Sequence, residues 1–115
     1  MLPPEFQAGV ELFNAGKFWH AHEAWEHCWL AAEGDQAAFY QGLIQAAAAL
    51  VKWQQGNRRG LLLNWAKGRG RLAPLLPAYA GIDLLRLCTH MDGMVAGTLA
   101  TPPIPLPVVE NNNVV

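Results

Sequence analysis

Glycine residues divide the chain into segments of helical length, and this division constrains the fold more than any other feature of the sequence. Gly16, Gly34 and Gly56 each follow a segment whose apolar residues recur every three or four positions, which is the spacing of one helix face. Glycine commonly ends a helix because it adopts a left-handed backbone without steric cost. The pattern predicts helices over about 4–15, 18–32, 35–55, 58–73 and 84–98.

Polar residues at the predicted helix starts support this division. Asp35, Asn57 and Asp83 each precede a predicted helix, where a side-chain oxygen can accept a hydrogen bond from a free backbone N–H. The fourth helix contains three glycines, Gly60, Gly68 and Gly70. Each costs about 1 kcal/mol relative to alanine, so this helix needs support from its neighbours. The missing side chains would also let a neighbouring helix approach closely.

The short links between the predicted helices indicate the fold class. No segment has the alternating pattern of a half-buried strand, and short links make consecutive helices pack as antiparallel hairpins. The sequence therefore predicts an all-α fold of about five helices in a small bundle. Residues 1–100 are expected to form a single helical domain. Residues 101–115, with four prolines between positions 102 and 107, are expected to form an extended or disordered tail.

Composition excludes several classes of protein. With 52% hydrophobic and 15% charged residues, the chain is too apolar to be disordered. No apolar run reaches the roughly 18 residues of a membrane span, and the first residues lack the basic and apolar regions of a signal peptide. We therefore expect a cytoplasmic protein without a membrane partner. Cys28 and Cys88 lie in apolar, helix-like surroundings, which favours buried reduced thiols over a disulfide.

Charge is segregated along the chain. Residues 1–35 carry a net charge of −5, whereas residues 36–82 contain six bases and no acid. Such a division is typical of neighbouring helices that attract one another, and it also suits an anionic partner. The overall charge of −1 and the absence of aromatic residues suited to base stacking among the bases of 58–71 make nucleic acid an unlikely partner.

The second predicted helix places polar groups among aromatic residues. At about 100° per residue, His22 falls within an aromatic stripe and Glu26 lies on its shoulder. The stripe consists of Phe18, Trp25 and Trp29. His20 and His27 fall on the opposite face and are predicted to be surface residues.

The third predicted helix supplies possible partners for these groups. Gln41, Gln45 and Lys52 fall along one stripe of a helix that is otherwise apolar. A buried imidazole or carboxylate must be hydrogen-bonded or paired. We therefore expect His22 and Glu26 to meet Gln41 and Gln45 across the interface of the second and third helices.

Three interpretations of this cluster remain open. His22 and Glu26, four residues apart, could both bind one metal ion. A Glu26 desolvated among tryptophans could instead act as a general acid or base with His22 as its partner. The third interpretation is a structural network that fixes how the helices pack.

Related motifs are excluded by geometry or composition. The run from His22 to His27 resembles the zinc-protease pattern H-E-x-x-H, but Glu26 occupies the position of the second histidine, and His27 lies about 100° further round the helix. His90, Asp83 or Asp92 could supply a further metal ligand if the chain folds back. The chain contains no serine, which excludes a serine nucleophile.

Three linked motifs resemble a known family. They are Phe13-Asn14-x-Gly16-x-Phe18-x-x-x-His22-Glu23-x-x-Glu26-x-x-Trp29, then Phe39-Tyr40-Gln41-Gly42-Leu43-Ile44-Gln45-x-Ala47-Ala48, then Gly56-Asn57-x-x-Gly60. Over about residues 8–83 the chain resembles the bacterial and archaeal domain-of-unknown-function family 309. The resemblance implies a small all-helical bundle, and some members of the family are labelled predicted metal-dependent hydrolases. The matching polar and aromatic positions are His22, Glu23, Glu26, Trp29, Gln41 and Gln45.

Two functions follow as hypotheses. The first is a metal-dependent hydrolase acting on a small molecule, in which His22 and Glu26 bind a divalent metal such as zinc, and Glu23 and Glu26 are catalytic. Its binding residues would be Gln41, Gln45 and Trp29.

The alternative hypothesis is a non-enzymatic helical-hairpin interaction module, similar to tetratricopeptide hairpins, or a homodimer. Its polar cluster would be structural, and surplus aromatic residues such as Trp19, Trp53 and Trp65 would form the interface.

Overall fold

The computed structural model describes residues 2–110 and contains five α-helices. They are α1 (Pro4–Asn14), α2 (Phe18–Leu30), α3 (Gly34–Gln54), α4 (Arg58–Leu72) and α5 (Leu84–Ala96). A 3-10 turn (Ala73–Leu75) follows α4, and strands β1 (Ala78–Tyr79) and β2 (Ile82–Asp83) form a short antiparallel hairpin before α5. The all-α class is confirmed. The sequence does not predict the hairpin, because two-residue strands are too short to show an alternating pattern.

Two of the predicted helix caps are confirmed. The Asn57 side chain accepts a hydrogen bond from the Gly60 N–H at 2.8 Å, and the Asp83 side chain accepts one from the Arg86 N–H at 3.0 Å. Each satisfies one of the backbone donors that the first turn of a helix leaves free. These two caps fix the starts of α4 and α5.

The start of α3 differs from the prediction. Gly34 is the first residue of α3 rather than the residue that closes α2, which already ends at Leu30. Glu33 occupies the N-cap position, and Asp35 lies in the first turn. Because Gly34 has a left-handed backbone with φ of 58°, the chain turns directly into α3. The Asp35 carboxylate therefore lies within the positive end of the helix dipole instead of capping it.

Consecutive helices pack against one another, so that α3 lies between α2 and α4. Helix α5 contacts α4 and β1. One apolar core joins all five helices, and its largest fully buried side chains include Trp25, Tyr40, Phe13, Phe18 and Phe39. No helix within residues 2–110 is both long enough and apolar enough to cross a membrane.

Two glycines that sequence analysis did not single out allow the closest helix contacts. A Cβ atom added at Gly9 would overlap the indole of Trp25, and one added at Gly42 would overlap the side chain of Leu72. Interiors of proteins are packed too tightly to absorb such an overlap without displacement. Gly9 therefore sets the spacing of α1 and α2, and Gly42 that of α3 and α4.

The three predicted contact glycines of α4 do not all behave alike. Gly60 packs on the stem of Lys52, and a Cβ atom at Gly68 would lie 3.0 Å from the Cβ of Gln45. The expectation of close approach is confirmed at these two positions. Gly70 has nothing within 4 Å of the corresponding point, so the expectation is wrong there.

The segment 101–110 runs along α1 and β2. The Leu106 N–H donates to the Asn14 side chain at 2.7 Å, and Val108 forms an isolated bridge with Ile82. The Leu106 side chain belongs to the core. Residues 111–115 of the predicted tail lie outside the described residues, and the division of the chain at residue 100 stays a prediction.

Candidate functional site

Helix α2 places His22 at the edge of its buried face. The buried residues of α2 are Phe18, Ala21, Trp25 and Cys28. Going round the helix axis from His22, one reaches Trp25 before the centre of this face. The His22 side chain is 17% exposed. Sequence analysis placed His22 inside the stripe, whereas the structure places it on the border with solvent. His20 and His27 are exposed, as predicted.

The imidazole of His22 has two neighbours on α2. It stacks on the indole of Trp19, with ring centroids 5.2 Å apart and planes 9° from parallel. Its Nε2 lies 3.6 Å from Oε1 of Glu26, which is too long for a direct hydrogen bond. Its Nδ1 is buried and has no hydrogen-bond partner among residues 2–110. Stacking therefore orients the ring while one nitrogen stays unsatisfied.

Gln45 on α3, like His22, has a buried polar atom without a hydrogen-bond partner among residues 2–110. Its Oε1 is buried and accepts no hydrogen bond within the described part of the chain, and its stem packs against α4 at Gly68. The predicted network that pairs His22 with Gln45 is therefore wrong in this respect. The physical reason is that the close approach of α4 at Gly68 brings the stem of Gln45 against that helix.

A shallow surface groove adjoins Gln45 between α3 and α4. It has a volume of about 400 Å³ and is lined by Gln45, Ala66, Lys67, Gly70 and Arg71. Lys67 and Arg71 are exposed, and the ion pairs of residues 2–110 include neither of them. The groove therefore combines two cations with a residue whose buried oxygen lacks a partner.

The remaining predicted site residues are accessible. Glu23 and Glu26 are exposed on α2, and 37% of Trp29 is exposed. Gln41 on α3 is half-buried. The catalytic roles of Glu23 and Glu26 and the binding roles of Gln41 and Trp29 stay predictions.

The donor set does not fit a metal centre. Catalytic zinc sites use three protein ligands, and residues 2–110 hold no group of three or more His, Cys, Asp or Glu side chains that could bind an ion. His22 and Glu26 supply two donors, and no third His, Cys, Asp or Glu side chain joins them within residues 2–110. The predicted pair of metal ligands therefore lacks a third.

The distant residues considered as further ligands are engaged elsewhere. Asp83 caps α5, and Nε2 of His90 lies 2.7 Å from the carbonyl oxygen of Thr101. Asp92 forms an ion pair with Arg69 at 2.8 Å. None of these contacts brings the three residues to α2.

The Asp92 cluster is a polar group that sequence analysis missed. Arg69 donates three hydrogen bonds to the carboxylate, two from Nε and one from Nη2, and the Trp65 indole N–H donates a fourth at 2.8 Å. Burial acts to raise the pKa of Asp92, but these hydrogen bonds and the charge of Arg69 outweigh it and hold the pKa below its usual range. Trp65 and Arg69, four residues apart on α4, were the available signal.

This cluster also corrects the predicted aromatic interface. Trp65 is buried because its ring packs into the core while its N–H reaches Asp92, so it cannot form an exposed surface. Trp53 is half-buried against the core. Trp19, with 55% of its surface exposed, fits the prediction.

The two cysteines behave as predicted. Cys28 and Cys88 are free and buried, and they lie on different helices. Burial raises the pKa of Cys88 to about 11, so its thiol stays protonated and unreactive at neutral pH.

The predicted site residues lie in a part of the chain that matches the model of a known protein family. A family model described as "Domain of unknown function (DUF309)" matches residues 6–63, which include all six predicted site positions. The match ends before the Gly81–Asp83 segment, so it is shorter than the resemblance seen in the sequence. A search of the curated proteins found no match.

A solved structure supports the same relationship. The chain is 30% identical to a conserved hypothetical protein from Thermus thermophilus, whose crystal structure superposes with a TM-score of 0.71. The similarity covers 84% of this chain and 99% of the other. The fold is therefore shared along almost the whole length of that protein.

Proposed function

Since this chain belongs to the DUF309 family of helical proteins of unknown function, we propose that it binds a small polar molecule through polar atoms of His22 on α2 and Gln45 on α3 that are unpaired within residues 2–110. His22 and Gln45 are its principal ligands. The bound molecule offers at least two N–H or O–H donors, as an amine, an amide or a polyol does.

One observation carries this proposal. Within residues 2–110, the buried side-chain polar atoms without a hydrogen-bond partner are His22 Nδ1 and Gln45 Oε1, and both residues are among the six that the sequence had already selected. A buried polar atom left without a partner costs about 1–3 kcal/mol. Folded proteins keep few such atoms, and an unpaired one is a mark of a ligand, an ion or a water.

The chemistry of these atoms defines the ligand. Gln45 Oε1 is an acceptor. An imidazole that carries its proton on Nε2, the nitrogen facing Glu26, leaves Nδ1 as a second acceptor. Both atoms therefore need donors. The cations Lys67 and Arg71 beside Gln45 would also hold a negatively charged group on the same molecule.

A ligand screen tests the proposal. The wild-type protein would be titrated with amino acids, polyamines and sugars while its thermal unfolding and its amide resonances are followed. We expect at least one class to raise the melting temperature and to shift resonances around His22 and Gln45. His22→Leu and Gln45→Leu should each abolish the response. His20→Leu, on the exposed face of the same helix, is the matched control and should retain it. A response that survives in both site variants would contradict the proposal.

The metal-dependent hydrolase inferred from the family resemblance stays a prediction. It needs a third ligand beyond His22 and Glu26, and the oxygen of Gln45 would be an uncommon choice for zinc. Elemental mass spectrometry of untagged protein decides between the two interpretations. We expect substoichiometric metal. Near-stoichiometric metal that disappears in both His22→Ala and Glu26→Ala would favour the hydrolase instead.

The interaction-module hypothesis is favoured by the exposed apolar side chains of α2. Trp19 is 55% exposed and Leu30 is 75% exposed, and Trp19 stacks on His22. A second copy that covered Trp19 would also cover the proposed ligand site. Light scattering across a dilution series tests this alternative, which predicts a dimer in the wild type that Trp19→Ala converts to a monomer.

A further inference from the structure

A second cavity uses no residue of α2, α3 or α4. It has a volume of about 700 Å³ and is formed by α1, the β-hairpin, α5 and residues 101–110. Pockets that bind small molecules typically have volumes of about 300–1,000 Å³. Only its α1 wall lies within residues 6–63, the part of the chain matched by the family model, so nothing in that match assigns a role to this cavity.

The outer wall of the cavity is fixed by main-chain hydrogen bonds. The Asp83 N–H donates to the carbonyl of Pro107 at 2.9 Å, and the Val109 N–H donates to the carbonyl of Gly81 at 2.9 Å. The Leu106 contact with α1 holds the middle of the same segment. Hydrogen bonds therefore hold the segment 101–110 in place where it lines the cavity.

The lining of the cavity combines apolar side chains with polar and charged ones. Ile104 and Val108 of the extended segment are its exposed large apolar side chains, whereas Phe6 and Ile82 are buried. Arg86 on α5 also lines the cavity and is exposed. Apolar surface beside a small number of polar and charged groups is the usual composition of a site that orients a small amphipathic molecule.

The charge of Arg86 is available to a ligand. Neither ion pair of residues 2–110 involves Arg86. Glu110 also lines the cavity but lies outside ion-pair distance of this guanidinium. His90, the other basic residue of the lining, is engaged through Nε2 with the Thr101 carbonyl. A guanidinium offers two parallel donors that match a carboxylate.

We propose that this cavity binds an organic anion with a hydrocarbon body. The carboxylate pairs with Arg86, and the hydrocarbon lies against Ile104 and Val108. The inference is independent of the site on α2 and α3, because it uses no residue of that site.

Titration with octanoate tests the inference. We would follow the amide resonances of the full-length protein as octanoate is added, and compare it with octanamide, which has the same hydrocarbon but no charge. Octanoate should bind more tightly than octanamide and should shift resonances of Ile104, Val108 and Arg86. In Arg86→Gln its affinity should fall by about tenfold, as expected when a hydrogen bond between charged groups is lost.

A matched variant separates specific binding from general attraction. Arg59→Gln removes an exposed arginine of α4 that does not line the cavity, and it should leave octanoate binding unchanged. Equal losses in Arg86→Gln and Arg59→Gln, equal affinity for octanoate and octanamide, or shifts confined to other surfaces would each overturn the inference. Binding lost in His22→Leu but retained in Arg86→Gln would assign octanoate to the first site and would also overturn it.

Discussion

Each side of α2 buries one nitrogen-containing ring, Trp25 on one side and His22 on the other. The two differ in whether the buried ring nitrogen has a hydrogen-bond partner. On the side of α1, Trp25 is fully buried and its Nε1–H donates to the Phe6 carbonyl at 3.2 Å. On the other side, His22 is mostly buried, but its Nδ1 has no partner among residues 2–110. The indole N–H, which can only donate, has a carbonyl acceptor on α1, whereas the described part of the chain supplies no partner to the imidazole Nδ1.

This difference separates stability from function. The Trp25 side is fully packed and its polar group is satisfied, which is the usual state of a protein interior. On the His22 side, the folded protein keeps the desolvation cost of a buried polar atom that has no hydrogen-bond partner within residues 2–110. We infer that the first side stabilises the fold and that the second side is kept for a ligand.

The largest expected effect comes from removing the satisfied ring. Trp25→Ala should lower the free energy of unfolding by about 3–5 kcal/mol, because it leaves a large cavity in the core. Urea unfolding followed by circular dichroism measures this change. Trp29→Ala, a partly exposed position on the same helix, is the matched control and should cost far less. Equal losses would contradict the assignment of stability to the α1 side.

The spacing of α1 and α2 gives the next largest effect. Gly9→Ala should destabilise the protein by about 1–3 kcal/mol, because the added methyl group overlaps the Trp25 indole and overpacks the interface. Gly70→Ala is the control, since nothing lies within 4 Å of its added Cβ, and it should stabilise α4 by up to about 1 kcal/mol. If both changes had the same sign, the close approach at Gly9 would not be a determinant of packing.

The His22 side predicts an effect of opposite sign. His22→Leu and Gln45→Leu should each leave the ligand-free protein as stable as the wild type or raise its free energy of unfolding by up to about 1 kcal/mol, because an unpaired buried polar atom is removed. His20→Leu, an exposed position, should change it by less than about 0.5 kcal/mol. Chemical denaturation compares the three. A clear destabilisation in both site variants would favour a structural polar cluster.

The smallest expected effect concerns Asp92. Its carboxylate has hydrogen-bond partners in Arg69 and Trp65, whereas Nδ1 of His22 has none within residues 2–110. The pKa of Asp92 is lowered in the folded state, so its carboxylate stabilises the protein above the unfolded value of about 3.9, and this contribution is lost as the pH falls through the folded pKa. The contribution should be below about 1 kcal/mol, because the pair is partly exposed.

Acid titration of variants measures this contribution. Asp92→Asn should remove part of the loss of stability at low pH, and Arg69→Gln should remove a smaller part, because the Trp65 hydrogen bond still lowers the pKa of Asp92 in that variant. Stability profiles of the two variants that match the wild type throughout the acid range would show that the cluster contributes nothing.

The fold was largely predictable because its signals are local. Gly16 and Gly56 end helices, and Asn57 and Asp83 cap the next ones through residues three positions away. The start of α3 was not predictable, because Gly34 could equally close α2 or begin α3. Only the packing of both helices decides between the two.

The candidate site was predictable as a set of residues but not as a geometry. Periodicity selected His22 and Gln45, yet it could not show that Gln45 packs against Gly68 of α4 rather than pairing with α2. Such contacts depend on how far helices slide along one another. Gly9 and Gly42, whose missing side chains set two of these distances, look like ordinary helix positions in the sequence.

The hydrogen bond between Leu106 and Asn14 joins positions 92 residues apart. Helices α1 to α4 otherwise contact mainly their neighbours in sequence, an arrangement in which linear repeat proteins unravel from one end. Because the segment 101–110 is hydrogen-bonded to α1, we expect neither end of this row of helices to unfold independently of the rest. The chain should therefore unfold as one cooperative unit, with backbone amides of α1 and α4 exchanging with solvent at similar free energies.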